Sequence, residues 1–342
     1  MSDSERFPGT MRGAINRISA PYPEQSPERD RWILSQRPER NRLDAHKPYL
    51  FLVERERSAA GEIVSVATIF LTNRECPWRC LMCDLWKNTL TETVPPGAIP
   101  AQIDYALTEL ATGDGCEPLR QIKLYNSGSF FDPRAIPRED YPGIGRRVAG
   151  FARVIVESHP ALLGDSCLRF RDLVAGKLEV AMGLETVHPE VLARLNKRMT
   201  VDQFARAAEF LRRNEIALRV FILLKPPFLN EGEALEWARR SVDFAFDCGA
   251  EVASLIPTRF GNGALEALAE RGEFSPPKLS ILEEAVAYGV SLQRGRVFAD
   301  LWNLEQFSSC QQCFAGRRER LRELNHTQTV SQAIRCRQCG GD

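Results

Sequence analysis

Three cysteines in one short segment are the residues best suited to chemistry. Cys76, Cys80 and Cys83 follow the spacing C-x3-C-x2-C. Successive side chains of a strand alternate faces, so these thiolates can converge only if the backbone curls around a common object. Thiolates are ligands for soft metals and iron–sulfur clusters. A cubane cluster has four irons, so three cysteine ligands would leave one iron open to a ligand from outside the protein.

Two other interpretations of this segment are less favoured. A zinc knuckle needs a fourth ligand nearby, and no other cysteine or histidine lies close to residues 76–83. A disulfide would leave one of the three thiols unpaired. The spacing therefore predicts an iron–sulfur cluster.

A second group of cysteines lies near the end of the sequence. Cys310 and Cys313 form one C-x2-C pair, and Cys336 and Cys339 form another after 22 intervening residues. This is close to a zinc pattern in which about 15–20 residues separate the pairs. Zinc is favoured, an auxiliary iron–sulfur cluster is the rival, and a pair of disulfides is the third interpretation. His326 lies between the pairs and is predicted to be a surface residue rather than a ligand.

The composition fits a globular protein with a substantial hydrophobic core. The chain has 342 residues, a hydrophobic content of 44% and equal numbers of basic and acidic residues, 45 of each. No global charge therefore attracts nucleic acid or an anionic membrane. Neither an apolar signal segment nor a run of roughly 20 apolar residues is present. Motif-like cysteines in such a chain predict a reducing cytoplasmic location. The isolated Cys116, Cys167 and Cys248 are expected to be buried as small hydrophobes.

Short apolar strands alternate with helices over most of the sequence. A hairpin or two adjacent strands are expected at 49–53 and 63–71, before the cysteine segment. Further strands are expected at 121–126, 152–158, 178–183, 218–224, 251–257 and 297–302, and helices at 99–110, 189–197, 201–214, 233–248 and 276–292. This alternation predicts a parallel sheet with helical crossovers. The predicted fold class is α/β, a partial (β/α)6 TIM-like barrel at 49–302, with a polar N-terminal arm at 1–48 and a small C-terminal cysteine-rich metal module at 303–342.

Several polar residues follow the predicted strands. In βα barrels, chemistry gathers at the C-terminal ends of the strands. A Ser-Gly-Ser turn follows the second core strand, and glycine there lets the backbone approach a ligand closely. Carboxylates follow the third and fourth strands, and both can accept hydrogen bonds from hydroxyls. The candidate ligand-binding residues are Ser127, Gly128, Ser129, Glu157, Ser158, Glu185 and Ile256.

These motifs together resemble the radical S-adenosylmethionine (SAM) superfamily. The segments 183–186 and 191–200 are similar to those of the Elongator-catalytic-subunit and coproporphyrinogen-dehydrogenase group. The resemblance implies that the open iron of a 4Fe–4S cluster binds the amino and carboxylate groups of SAM. Reductive cleavage then gives methionine and a 5′-deoxyadenosyl radical. Two departures are the missing acidic residue in the 127–129 turn and Met82, where an aromatic residue is usual.

The same resemblance implies a role for each candidate residue. Ser127, Gly128 and Ser129 would hold the methionyl end of SAM. Glu157, with Ser158 beside it, and Glu185 would face the ribose. Ile256 lies on the strand whose backbone lines the adenine. An external low-potential donor such as flavodoxin or ferredoxin would reduce the cluster.

Residues 124–133 and 275–280 resemble the radical SAM subunit of archaeosine synthase and its uncharacterised bacterial relatives. The resemblance implies a modified tRNA nucleoside as substrate. Two alternatives remain: a radical SAM enzyme acting on a small-molecule metabolite, and a non-catalytic iron–sulfur and zinc protein in electron transfer. The arginine-rich segment 317–324 is either a phosphate-binding surface or a solvated helix face. The sequence assigns no residue to the substrate reaction, and no membrane partner is expected.

Overall fold

The computed structural model describes residues 20–112 and 117–339, so Cys116 lies outside the described residues. Eight strands form one sheet in which the spatial order follows the chain order. They are β1 Leu50–Arg57, β2 Ile63–Phe70, β3 Leu119–Tyr125, β4 Arg153–Glu157, β5 Lys177–Glu185, β6 Ala217–Leu224, β7 Val252–Pro257 and β8 Arg296–Ala299. Strand β1 is antiparallel to β2, and every later pair is parallel. The predicted α/β half-barrel is confirmed.

Ten α-helices accompany these strands in the described ranges. They are α1 Ser26–Gln36, α2 Ala98–Ala111, α3 Tyr141–Val148, α4 Asp165–Arg171, α5 Pro189–Arg194, α6 Val201–Arg213, α7 Glu231–Asp247, α8 Ala264–Glu270, α9 Leu279–Ser291 and α10 Gln311–Thr327. Helix α6 begins where Thr200 and Gln203 form a capping box, and α7 begins at the equivalent box of Asn230 and Glu233. None of the helices described is long and apolar enough to cross a membrane.

The final strand is shorter than expected. Strand β8 ends at Ala299, whereas the apolar pattern predicted a strand to residue 302. The side chain of Asp300 accepts a hydrogen bond from the backbone N–H of Trp302 at 3.0 Å. This local turn competes with strand pairing, as Asp side chains commonly do. It places Trp302 at the top of the barrel with 44% of its surface exposed.

The barrel interior contains buried charges. Arg219 of β6 is 2% exposed, and its guanidinium contacts Glu56 of β1 at 2.5 Å and Glu179 of β5 at 2.6 Å. Lys123 of β3 contacts Glu56 at 2.7 Å, and Arg153 of β4 pairs with Glu179. Buried charges persist when they are paired. This interior charge network therefore ties β1, β3, β4, β5 and β6 together by their side chains.

The N-terminal segment packs on the barrel through α1. Trp32 and Ile33 of α1 are buried, and Asp30 accepts a hydrogen bond from Asn196 at 2.7 Å. The Tyr22 hydroxyl donates to the carbonyl of Arg194 at 2.8 Å. The described part of the predicted arm is thus in contact with the loops after β5.

Candidate active site

The cysteine loop follows β2 and is held in its curl by groups from distant segments. The N–H of Leu81 donates to the carbonyl of Leu195 at 2.9 Å. The amide of Asn196 donates to the carbonyl of Arg79 at 2.8 Å, and that of Asn262 donates to the carbonyl of Leu81 at 2.8 Å. Backbone groups of the loop are therefore satisfied by loops that follow β5 and β7, which fixes the direction of the thiols.

A buried carboxylate secures the start of the same loop. Glu75 pairs with Arg37 at 2.8 Å, with Arg79 at 3.1 Å and also with Arg40. Burial raises the pKa of this carboxyl, but the arginines outweigh burial and the net shift is downward. Arg37 also lies over the ring of Trp86, 4.5 Å from its centroid. Residues before β1 therefore support the loop from outside.

Trp78 fixes the middle of the loop by stacking on His159. The ring centroids are 3.9 Å apart with an interplanar angle of 15°. The His159 ring bridges the Lys197 carbonyl at 3.1 Å through Nε2 and the Ala161 N–H at 3.2 Å through Nδ1. Because Nδ1 accepts, Nε2 carries the proton. Burial, with the nearby Lys197 charge, lowers the pKa of His159 to about 4, so the ring is neutral at pH 7.

All three loop cysteines line one cavity of about 740 Å³ at the top of the barrel. Burial is the main cause that raises the pKa of each thiol, to about 12 for Cys80. Among the described residues, only the C-terminal four cysteines gather their sulfurs within 4.8 Å of one another. The three loop sulfurs are not grouped within that distance, and a cubane would place each thiolate on a separate iron.

The predicted Ser-Gly-Ser turn lies directly against the cysteine loop. A side chain at Gly128 would place its Cβ 3.2 Å from the Cβ of Cys76, so glycine permits this approach. Ser127 has a φ of 54°, and its hydroxyl lies 3.0 Å from that of Tyr49. The hydroxyl of Ser129 accepts a hydrogen bond from the N–H of His159 at 2.8 Å. The turn is therefore built to fit both the cluster loop and the end of β4.

Glu157 points toward this turn. Its Oε1 accepts hydrogen bonds from the N–H of Asn126 at 2.5 Å and, more weakly, from that of Gly128 at 3.4 Å. Burial raises the pKa of this carboxyl, and the backbone donors reduce the shift without cancelling it. Its neighbour Ser158 is buried and donates to the carbonyl of His159 at 3.1 Å. In this structure Glu157 shapes the turn with one oxygen while lining the cavity.

Glu185 forms a buried pair that the sequence analysis did not anticipate. Its Oε1 is 2.5 Å from Nζ of Lys197, and both side chains are 9% exposed. Burial lowers the pKa of Lys197, but Glu185 and the thiol of Cys80 outweigh it and the net shift is upward. Glu185 also has a φ of 66°. A positive charge therefore lies beside the cysteine loop. It belongs to the segment 191–200, for which the sequence analysis predicted no charged partner.

Gly183 leaves the space that this pair occupies. A Cβ at Gly183 would lie 2.1 Å from Oε1 of Glu185 and 2.3 Å from Nζ of Lys197. We expect Gly183→Ala to separate the pair and to destabilise the protein by about 1–3 kcal/mol, as overpacking does. Urea denaturation would measure the change. Gly150→Ala is the control, because a Cβ there meets nothing within 4 Å. Equal stabilities of the two variants would contradict this account.

The remaining cavity walls come from the rest of the barrel and from α10. Ile256, Tyr125, Phe221 and Trp302 line the cavity, as do three residues of the interior charge network: Glu56, Lys123 and Arg219. Three residues of α10 also line it: Arg322, Asn325 and His326. His326, predicted to be a surface residue, therefore faces the cavity. All ten predicted residues of the loop and ligand set line this cavity, and the four C-terminal cysteines do not.

The arginine-rich segment of α10 is not a simple solvated face. Arg317 is 1% exposed, and its guanidinium contacts Glu283 of α9 at 2.6 Å. Arg320 is also buried and contacts Glu283 at 3.4 Å. These two side chains pack α10 on α9, so neither presents its charge to a phosphate, whereas Arg322 is exposed.

The sequence of this chain is similar to those of named archaeal proteins. Archaeosine synthase subunit beta of Methanosarcina acetivorans is 30% identical over 237 residues, which are 65% of this chain and 66% of the relative. The chain is a homologue of archaeosine synthase subunit beta. This homology confirms the resemblance predicted from residues 124–133 and 275–280.

A second relative is less identical but is matched over a larger share of both chains. An uncharacterized protein of Methanocaldococcus jannaschii is 26% identical over 253 residues, 70% of this chain and 69% of the relative. The chain thus spans about two thirds of the length of each of these two relatives. No protein-family model matches it.

Among solved structures, Methanocaldococcus infernus Elp3 has a TM-score of 0.47 at 16% identity, covering 58% of this chain and 51% of its own. Coproporphyrinogen III oxidase of Escherichia coli, described as a radical SAM enzyme, has a TM-score of 0.45 at 14% identity, with coverages of 67% and 53%.

Proposed function

We propose that this protein is a radical SAM enzyme that uses a 4Fe–4S cluster to cleave S-adenosylmethionine reductively and to abstract hydrogen from a substrate. One observation supports this most directly. The three loop cysteines and every residue expected to contact SAM line the same cavity, although they lie on or directly after five different strands. A non-catalytic electron carrier would not need such a cavity beside its cluster.

The roles of the residues follow from their positions. Cys76, Cys80 and Cys83 hold the cluster, which together with SAM supplies a 5′-deoxyadenosyl radical when both are bound. Metal binding replaces three protons on thiols that are otherwise protonated at pH 7. The 127–129 turn presents backbone groups and hydroxyls to the methionyl end of SAM.

Four further residues extend this assignment. Lys197 supplies a positive charge near the cysteine loop, suited to a carboxylate, and Glu185 positions it. The second oxygen of Glu157 is available to a ribose hydroxyl, and the backbone at Ile256 lies against the adenine. The surrounding cavity keeps water away from a reactive intermediate.

We propose a modified nucleoside in tRNA as the substrate class, because two relatives are named as archaeosine synthase subunits. An exposed aromatic residue at the cavity mouth, Trp302, is suited to stacking on a base. A small-molecule metabolite is the second candidate. The buried positions of Arg317 and Arg320 and the zero net charge favour it.

Three experiments test these assignments. Anaerobically reconstituted protein with dithionite and SAM is expected to release 5′-deoxyadenosine. A protein with an intact cluster that releases none would instead support an electron-transfer role. Mass spectrometry of tRNA nucleosides from cells with and without the gene tests the substrate, and an unchanged profile would favour the metabolite. Reduction by flavodoxin or ferredoxin in place of dithionite tests the proposed cytoplasmic electron donor.

A further inference from the structure

The four C-terminal cysteines have the geometry of a site for one metal ion. The sulfurs of Cys310 and Cys336 are 3.9 Å apart, and those of Cys313 and Cys339 are 3.7 Å apart. Two thiolates on one tetrahedral zinc, each at about 2.3 Å, would be about 3.8 Å apart. These two distances match a tetrahedral ion, and all four sulfurs lie within 4.8 Å of one another.

This site joins the start of α10 to the segment that follows it. Cys310 is the N-cap of α10 and Cys313 lies in its first turn, whereas Cys336 and Cys339 come from the returning chain. The returning chain has no regular structure at 329–336, and its apolar residues Val330 and Ile334 are 45% and 38% exposed. Little hydrophobic burial holds this segment. Arg320 of α10 donates to the carbonyls of Ser331 at 2.8 Å and Gln332 at 3.0 Å, and an ion would add the attachment at its far end.

The other end of α10 completes the edge of the barrel. The Asn325 amide donates to the carbonyl of Ala299 at 2.9 Å and accepts from its N–H at 2.8 Å. The Gln328 amide makes the same pair of contacts with Val297, at 2.8 and 2.7 Å. Side-chain amides thus occupy backbone groups that an edge strand would otherwise leave unpaired.

The same turns of α10 bridge the two edges of the sheet and form a wall of the cavity. Arg57 of β1 donates to the carbonyl of His326 at 3.0 Å. Arg322, Asn325 and His326 line the active-site cavity. The position of α10 therefore determines both the closure of the half-barrel between β1 and β8 and the shape of the cavity there.

We propose that the C-terminal metal site positions α10. One zinc ion bound by Cys310, Cys313, Cys336 and Cys339 holds the start of this helix. The end of the helix then closes the barrel through Asn325 and Gln328 and forms one wall of the cavity. The inference rests on the grouping of the four C-terminal cysteines and is independent of the proposed radical chemistry. Because Arg317 and Arg320 also hold α10 on α9, loss of the ion loosens this closure and does not unfold the barrel.

Cys336→Ser in the full-length protein tests the inference, with Cys248→Ser as the matched control at an isolated position. We expect loss of about one zinc per chain with iron unchanged, measured by elemental analysis. Backbone hydrogen exchange at residues 296–299 and 322–328 is expected to become at least tenfold faster in Cys336→Ser only. Unchanged exchange after loss of the ion would overturn the positioning role. Loss of several irons in place of zinc would overturn the single-ion assignment.

A second variant separates the effect of the metal from that of the amide clamp, by which we mean the paired hydrogen bonds of Asn325 and Gln328 with β8. Gln328→Leu retains all four cysteines, so zinc content is expected to stay at the wild-type level while exchange at residues 296–299 still accelerates. Exchange at the wild-type rate in this variant would contradict the role of the amide clamp. Neither readout depends on SAM cleavage. If the wild-type protein released no 5′-deoxyadenosine while the two variants showed these exchange changes, the proposed function would be refuted and this inference would stand.

Discussion

Arg219→Met is expected to lower the free energy of unfolding by about 3–5 kcal/mol, because it leaves two buried carboxylates without their main partner. Glu56 and Glu179 both contact this guanidinium, and Glu179 is fully buried. Burial raises the pKa of Glu56, but Arg219 and Lys123 outweigh it and hold the pKa well below the usual range. Removal of the guanidinium reverses much of this compensation.

Urea denaturation monitored by circular dichroism would measure the loss. Arg212→Met is the matched control, because Arg212 is exposed on α6 and its ion pair is with the partly exposed side chain of Glu209. The control is expected to stay within about 0.5 kcal/mol of wild type, as surface substitutions do. Similar losses in the two variants would show that the interior charge network contributes no special stability. If Arg219→Met does not fold, Glu56→Gln provides a milder test with the same direction.

Cys80→Ala is expected to abolish both the visible absorbance of the loop cluster and the release of 5′-deoxyadenosine. Cys80 lies in the middle of the loop, so its loss removes one of three protein ligands from the cluster. The fold should survive, because Arg79 and Leu81 beside it keep their backbone hydrogen bonds to Asn196 and Leu195.

Iron analysis, absorbance and product analysis by mass spectrometry would check this prediction. Cys248→Ala, an isolated cysteine after α7, is expected to keep wild-type iron content and product release. Zinc content should remain unchanged in both variants. If Cys80→Ala still produced 5′-deoxyadenosine, the ligand assignment of the loop would be wrong.

The alternation of strands and helices was readable from the sequence because each strand is a short apolar run between polar turns. The cysteine loop and the 127–129 turn were readable for a different reason: their chemistry depends on local spacing. Lys197 was missed, since its partner Glu185 lies on the other side of α5 and only the fold brings them together. The hydrogen bonds that Glu157 accepts from the N–H groups of Asn126 and Gly128 could likewise not be predicted from the sequence.

The interior charge network did leave a signal. Lys123, Glu179 and Arg219 each lie between two apolar residues of a strand. Opposite charges at similar depths of neighbouring strands could have indicated a charged barrel interior. The amide clamp of α10 left no comparable signal, because an asparagine and a glutamine near a helix end are ordinary residues until a sheet edge lies beside them.

The sheet order has a consequence for biosynthesis. Since every strand pairs with its neighbours in the chain, each can join the growing sheet soon after it leaves the ribosome, as N-terminal parts generally do. Helix α1 is translated first, yet Ser26 must wait for Asn196, 170 residues later, before their hydrogen bond can form. Helix α1 is therefore expected to dock late, after most of the strands around the cysteine loop have been made.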